Sequence, residues 1–253
     1  HGTDLFEVSR RQRGPQLAIS DIRETMRQVL EGLALLHSEG VLHRDLKLDN
    51  VVLDRSRRSR EAQSQLRCSN FSVTAKIVDF DDAQTWPLPV DFFTQGKPRC
   101  IVGTDQYIAP EAYSGEWSPA SDIFSAGVML FRLLNGRFPF DPRLFDDAPG
   151  ENYVGCKKME EIRRRLEGSI IDFFRRARGA PEPDPQAISL CRRLVALDPN
   201  DRLSALDALA DPWFCPDGQR SATPALPSSG VAAPPERVAA PPSEPGPLLP
   251  MTP

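Results

Sequence analysis

Between Val41 and Leu53 the chain reads VLHRDLKLDNVVL. His43, Arg44, Asp45, Lys47, Asp49 and Asn50 are bracketed by Val41-Leu42 on one side and Val51-Val52-Leu53 on the other, the pattern of a polar loop pinned between two buried segments. The residue types suit chemistry at an oxygen-rich centre. Asp45 is a proton acceptor, and Lys47, on the same side of an extended loop, is a point charge for an anion. Asn50 is a hard oxygen ligand. More carboxylates follow at Asp79, Asp81 and Asp82, so one reading of the residues alone is a metal-dependent hydrolase with Asp45, Asp79, Asp81 and Asp82 as its carboxylate cluster. The bland alternative is a charged surface turn.

These residues need elements to hold them. Ile22, Met26, Val29, Leu30, Leu33 and Leu36 recur at helical spacing up to Gly40, with Ser20 as the expected cap and Asp21 suited to the positive end of the dipole. That helix delivers the polar loop. Val73 to Phe80, rich in β-branched residues, reads as a strand leading to Asp79. The polar, basic stretch between Leu53 and Val73 reads as a solvated hairpin loop. Asp122 opens DIFSAGVMLFRLLNG, apolar nearly all round, which predicts a buried central helix stopped at Asn135-Gly136. Further helices are expected through Met159, Ile162 and Leu166, and through Ala187 to Val195. From Cys215 onward Pro, Ala and Ser dominate, and residues 215–253 are expected to be a disordered tail.

A length of 253 residues with 40% hydrophobic content is enough to bury a core, and a net charge of -4 gives no reason to expect nucleic acid or an anionic membrane as partner. No apolar run reaches membrane-spanning length. Five scattered cysteines without a CxxC pair suggest neither a disulfide framework nor a zinc site. A cytoplasmic or otherwise intracellular setting is therefore expected. The chain starts at His1 with no secretory leader and is expected to be a fragment.

Three motifs fall in one register. His43-Arg44-Asp45-Leu46-Lys47 with Asn50 is followed by Asp79-Phe80 at the end of a strand, and then by Gly103-Thr104, Tyr107 and Ala109-Pro110-Glu111. Together they resemble the catalytic loop, the Asp-Phe-Gly motif and the end of the activation segment of the eukaryotic protein kinases. Lysine two residues after the aspartate is the serine/threonine form, and the whole resembles the calcium/calmodulin-dependent kinase-like group. Asp122 resembles that family's buried aspartate, which holds the catalytic-loop backbone, and Arg202 resembles the arginine that pairs with Glu111.

The resemblance covers residues 1–214 and implies the family's α+β fold. No glycine-rich GxGxxG loop, VAIK-type strand or partner glutamate occurs in the sequence. The chain is thus expected to be the mainly α-helical C-terminal lobe, with a short β-hairpin at the active site and the N-terminal lobe missing.

By this resemblance Asp45 orients the substrate hydroxyl, Lys47 reaches the transferring phosphate, and Asn50 and Asp79 hold Mg²⁺ together with ATP. Val52 forms part of the adenine floor, Asp4 contacts the ribose, and Thr104 bonds Asp45 and Lys47. His43 and Phe80 belong to an apolar spine between lobes. The expected partners are ATP and a protein with a serine or threonine acceptor, in phosphoryl transfer that depends on alignment and charge neutralisation.

Two departures stand out. Asp81 replaces the glycine of Asp-Phe-Gly, which supports a pseudokinase scaffold as the alternative function. Cys100 occupies the usual phosphoacceptor place, so either Thr94 substitutes for it or the segment is ordered without a phosphate on Arg44.

Overall fold

The computed structural model describes residues 3–10, 17–57, 71–87, 100–145, 152–182 and 184–214. Thr94 and the expected tail at 215–253 lie outside the described residues, as does most of the loop between the two hairpin strands. In chain order the elements are β1 (Thr3–Asp4), α1 (Leu5–Arg10), α2 (Ile19–Ser38), β2 (Val41–Leu42), β3 (Val51–Arg57), β4 (Phe71–Ile77), β5 (Gln84–Thr85), α3 (Pro119–Asn135), α4 (Lys157–Glu167), α5 (Pro185–Leu194) and α6 (Ala205–Leu209). Helices dominate, and the strands form two small antiparallel sheets.

The periodic apolar positions of α2 are those it buries: Ile22, Met26, Val29, Leu30 and Leu33. Ser20 does not cap this helix. The cap is Ala18, whose carbonyl already accepts from Asp21 N and Ile22 N at 2.9 and 3.0 Å, so Ser20 lies inside the first turn. The buried face of α2 packs on β4, α3 and α6.

The expected hairpin is β3 with β4, in the register Val51↔Ile77 through Arg57↔Phe71. The chain leaves β4 after Ile77, so Val78, Asp79 and Phe80 lie past the strand that sequence reasoning ran through them. Two pairings were not anticipated. β1 adds a third strand through Thr3↔Leu53 and Asp4↔Val52, and β2 pairs with β5 through Val41↔Thr85 and Leu42↔Gln84. The second sheet ties the entry of the polar loop to the chain just past Asp79.

Helix α3 is the centre of the core, with Asp122 through Phe131 continuously buried. It opens on Ser118, whose N–H donates to Ser121 Oγ at 3.2 Å, with Pro119 in the first turn where a missing N–H costs nothing. On one side it meets α5 so closely that a Cβ added at Gly127 would lie 2.6 Å from Val195 Cγ1 and 2.9 Å from the Leu194 carbonyl carbon. Main chain cannot rotate away as a side chain can. Gly127→Ala should therefore lose more by overpacking, about 1–3 kcal/mol, than the roughly 1 kcal/mol that alanine gains in helix propensity. Thermal unfolding of the variant should show a lower midpoint, and an unchanged or raised one would contradict this close approach.

Candidate active site

The polar loop is fixed from below by one carboxylate. Asp122, in the first turn of α3, accepts from His43 N through Oδ2 and from Arg44 N through Oδ1, both at 2.9 Å. His37, in the last turn of α2, places Nε2 3.0 Å from Asp122 Oδ2, and a carboxylate can only accept, so that nitrogen carries the proton. With two amides held, Arg44 adopts φ of 67°, the left-handed region that a non-glycine residue enters at a cost of about 1–2 kcal/mol. Asp79 is the other described non-glycine residue with positive φ, also 67°. Both backbone outliers thus adjoin the candidate chemistry. Asp81 is not left-handed, so in this conformation the position does not use the freedom that glycine would give it.

Above this anchor the side chains converge. Lys47 Nζ lies 2.6 Å from Asp45 Oδ2 and 3.0 Å from Thr104 Oγ1, and Thr104 Oγ1 donates to Asp45 Oδ1 at 2.8 Å. Asn50 Nδ2 donates to Asp45 O at 2.9 Å and reaches Asp45 Oδ2 at 3.3 Å. The Asp45 carboxylate is therefore held on both oxygens, with the Lys47 cation against it. Because the Asn50 amide spends its N–H groups on Asp45, its Oδ1 is left as an acceptor. The hairpin register and the Val78 N to Asn50 O bond of 3.0 Å set Asn50 beside Val78, one residue before the exposed Asp79.

Thr104 arrives from a distant segment, and two features hold that segment in place. Gly103, at φ of 100°, lies against the loop so tightly that a Cβ there would sit 2.8 Å from Arg44 O. Farther on, Arg202 clasps Glu111 with Nη1 to Oε1 at 2.6 Å and Nη2 to Oε2 at 2.8 Å, and Ser121 Oγ adds a bond to Oε1 at 2.9 Å. The guanidinium also donates to the carbonyls of Ala196, Ala120 and Leu197 and lies 4.9 Å over the Phe124 ring. With the charges paired and the remaining N–H groups bonded, this buried ion pair meets the conditions under which one is tolerated.

His43 is fully buried, its Nε2 donating to Val78 O at 3.1 Å and its ring 5.1 Å from that of Phe80, which is 45% exposed. Asp4 and Val52 are cross-strand partners, and Asp4 Oδ1 accepts from Glu7 N at 2.6 Å. Arg44 donates from Nε to Asp82 O at 2.6 Å and from Nη1 to Gln84 Oε1, and lies 5.7 Å over the Trp117 ring. Burial lowers its pKa from the ordinary arginine value while Asp82 and Asp122 pull the other way. The chain itself thus supplies acceptors for the arginine that was expected to await a phosphate. Cys100 is exposed and bridged to Tyr153.

Asp45, Asp79, Asp81 and Asp82 do not assemble into a metal cluster: among the described residues no group of three His, Cys, Asp or Glu could hold a metal ion. His37, Gln84, Trp117 and Ser121 are site-supporting residues that sequence reasoning missed. None carries a local signal for this role, since each meets the site residue it supports only through tertiary contact.

A protein-family model described as protein kinase domain matches residues 1–214. Calcium-dependent protein kinase 14 of Oryza sativa subsp. japonica is 32% identical over 200 residues, which are 79% of this chain and 31% of the relative. CBL-interacting serine/threonine-protein kinase 1 of Arabidopsis thaliana is 30% identical over 219 residues, covering 84% of this chain and 39% of the relative. Mitogen-activated protein kinase 8 of Arabidopsis thaliana is 31% identical over 201 residues, covering 74% and 31%. This chain spans about a third of the length of these curated relatives. With its three motifs folded onto one loop and its match extending over residues 1–214, the chain belongs to the protein kinase domain family.

Proposed function

We propose that residues 1–214 are the larger, C-terminal lobe of a serine/threonine protein kinase that transfers the ATP γ-phosphate to a protein hydroxyl. The supporting observation is the closed cluster in which Thr104, Lys47 and Asn50 fix both oxygens of Asp45. Asp45 orients the serine or threonine hydroxyl and takes its proton at the carboxylate. Lys47, held 2.6 Å away, opposes the negative charge that would otherwise repel an incoming phosphate. The acceptor-only oxygens of Asn50 and Asp79 fit Mg²⁺, which prefers a few hard oxygen ligands and completes its shell with phosphate and water. ATP with that ion supplies the phosphoryl group and neutralises its charge. Val52 and Asp4, adjacent across the sheet, fit an adenine floor and a ribose contact.

A second reading, a scaffold that binds partners without turnover, is favoured by Asp81 in place of the glycine of Asp-Phe-Gly. A glycine-rich loop, with its lysine and glutamate partners, clamps the phosphates in this class of enzyme, and the sequence as given carries no such motif. The 253-residue chain alone should accordingly give no measurable transfer to a serine peptide; turnover by the chain alone would mean that its own residues complete the nucleotide site.

In the longest natural form of the protein, Asp45→Asn should lower the rate about 10²–10⁴-fold, the usual contribution of a general base, with the thermal midpoint little changed. Near-normal transfer by that variant would remove Asp45 from the chemistry, and absence of transfer in the unsubstituted long form would favour the scaffold. Asp81→Gly should loosen the turn after Asp79, seen as faster amide exchange over residues 79–84 and a stability loss of about 0.5–1 kcal/mol through added unfolded-state entropy. Unchanged exchange would show that Asp81 does not stiffen the segment.

A further inference from the structure

Between α4 and α5 the chain runs through residues 169–182 without helix or strand, yet it is firmly held. Asp172 Oδ1 accepts from Phe174 N and Arg175 N at 2.9 and 3.1 Å. Arg137 donates to Asp172 O and Arg175 O, both at 2.7 Å, and Ala177 N donates to Asn135 O at 2.8 Å. On this loop Phe173 turns inward, edge-on to Phe131 with centroids 5.5 Å apart, whereas Phe174 is 73% exposed and Ile170 is 95% exposed. Arg192 of α5 lies over both phenylalanine rings, 5.0 Å from Phe173 and 5.5 Å from Phe174. Two large apolar side chains are thus held in solvent on one braced loop.

The charges around them are equally unusual. Arg143, Arg164, Arg165 and Arg193 each hold a carboxylate. Arg175, Arg178 and Arg192 are exposed and form no ion pair among the described residues. The nearby carboxylate, Asp172, is held below its ordinary pKa first by the backbone N–H groups of Phe174 and Arg175 and then by the charges of Arg137 and Arg175. In a chain of net charge -4, Arg192 thus lies over the exposed Phe174 ring, with the exposed Arg175 next to it in the chain and the exposed Arg178 on the same loop.

We infer that this face docks an acidic segment of a partner protein, with an aromatic or branched aliphatic side chain set against Phe174 and Ile170 and carboxylates on Arg175, Arg178 and Arg192. Arginine and aromatic side chains are the usual anchors of such contacts, and cations on the rim set orientation and partner choice. An anionic membrane fits less well. Lipid-binding clusters carry about four to eight cations, whereas this stripe has three and is bounded by exposed Glu167 and Glu182.

The test is to titrate the 253-residue chain into a fluorescein-labelled, glutamate-rich peptide bearing one phenylalanine and one leucine. A control peptide has both replaced by serine, and vesicles of phosphatidylcholine with phosphatidylserine form the third arm. Micromolar binding is expected, weakened about tenfold by Phe174→Ser, and likewise by Arg175→Glu combined with Arg178→Glu. All three positions are exposed, so the fold should persist, which thermal unfolding checks. The serine-substituted peptide should bind as weakly to the unsubstituted chain as the parent peptide does to the Phe174→Ser variant, a comparison that needs no variant to fold. Equal affinity for both peptides, equal affinity of all variants, no binding, or preference for the vesicles would overturn the inference.

Discussion

A single buried carboxylate organises the polar loop that carries Asp45, Lys47 and Asn50. Asp122 is 1% exposed, and a charge so placed is costly unless hydrogen-bond donors surround it. It finds them in His43 N, Arg44 N and His37 Nε2. The demand runs both ways. The carboxylate needs donors, and the loop needs an acceptor strong enough to keep Arg44 in a left-handed conformation that its side chain disfavours. Charge-assisted hydrogen bonds are about twice as strong as neutral ones, so two of them are on the scale of that backbone cost. Because Asp122 sits on the buried helix α3, the polar loop is tied directly to the core.

The second tie works at a distance. Glu111 and Arg202 are separated by 91 residues and join the end of the segment carrying Thr104 to the chain between α5 and α6. Their net contribution to stability is expected to be small, because desolvation offsets attraction in such pairs. Their geometric effect is larger: the fork of Arg202 has one carboxylate and three carbonyls to satisfy, and few placements of Glu111 do so. Thr104 can then meet Asp45 and Lys47 without paying for the ordering of its own segment.

Much of this was legible in the sequence, for identifiable reasons. The apolar period of α2, the all-round apolar character of α3 and the three motifs are local signals, and Asp45, Lys47, Thr104 and Asn50 meet as their register implied. What escaped notice depends on contacts far apart in sequence. His37 reads as an ordinary polar residue in the last turn of a helix, and its partner lies 85 residues away. Strand β1 has two residues, too few to show alternation. Ser20 looked like a cap by residue type, but the turn had already begun at Ala18. Gln84 has no motif at all, and only the pairing of β2 with β5 brings it to Arg44.

Among the described residues strand β4 is the outer member of its sheet, with β3 on one side only. An uncovered strand would offer its peptide groups to any passing chain. Here the side chain of Gln28, projecting from α2, donates from Nε2 to Val73 O at 2.9 Å and accepts at Oε1 from Ala75 N at 2.7 Å. A carboxamide has the donor and the acceptor of one peptide unit, so Gln28 stands in for a neighbouring strand over two positions. That part of the rim is thereby closed to intermolecular strand addition, and the closure is written into a helix residue that periodicity alone would class as solvent-facing.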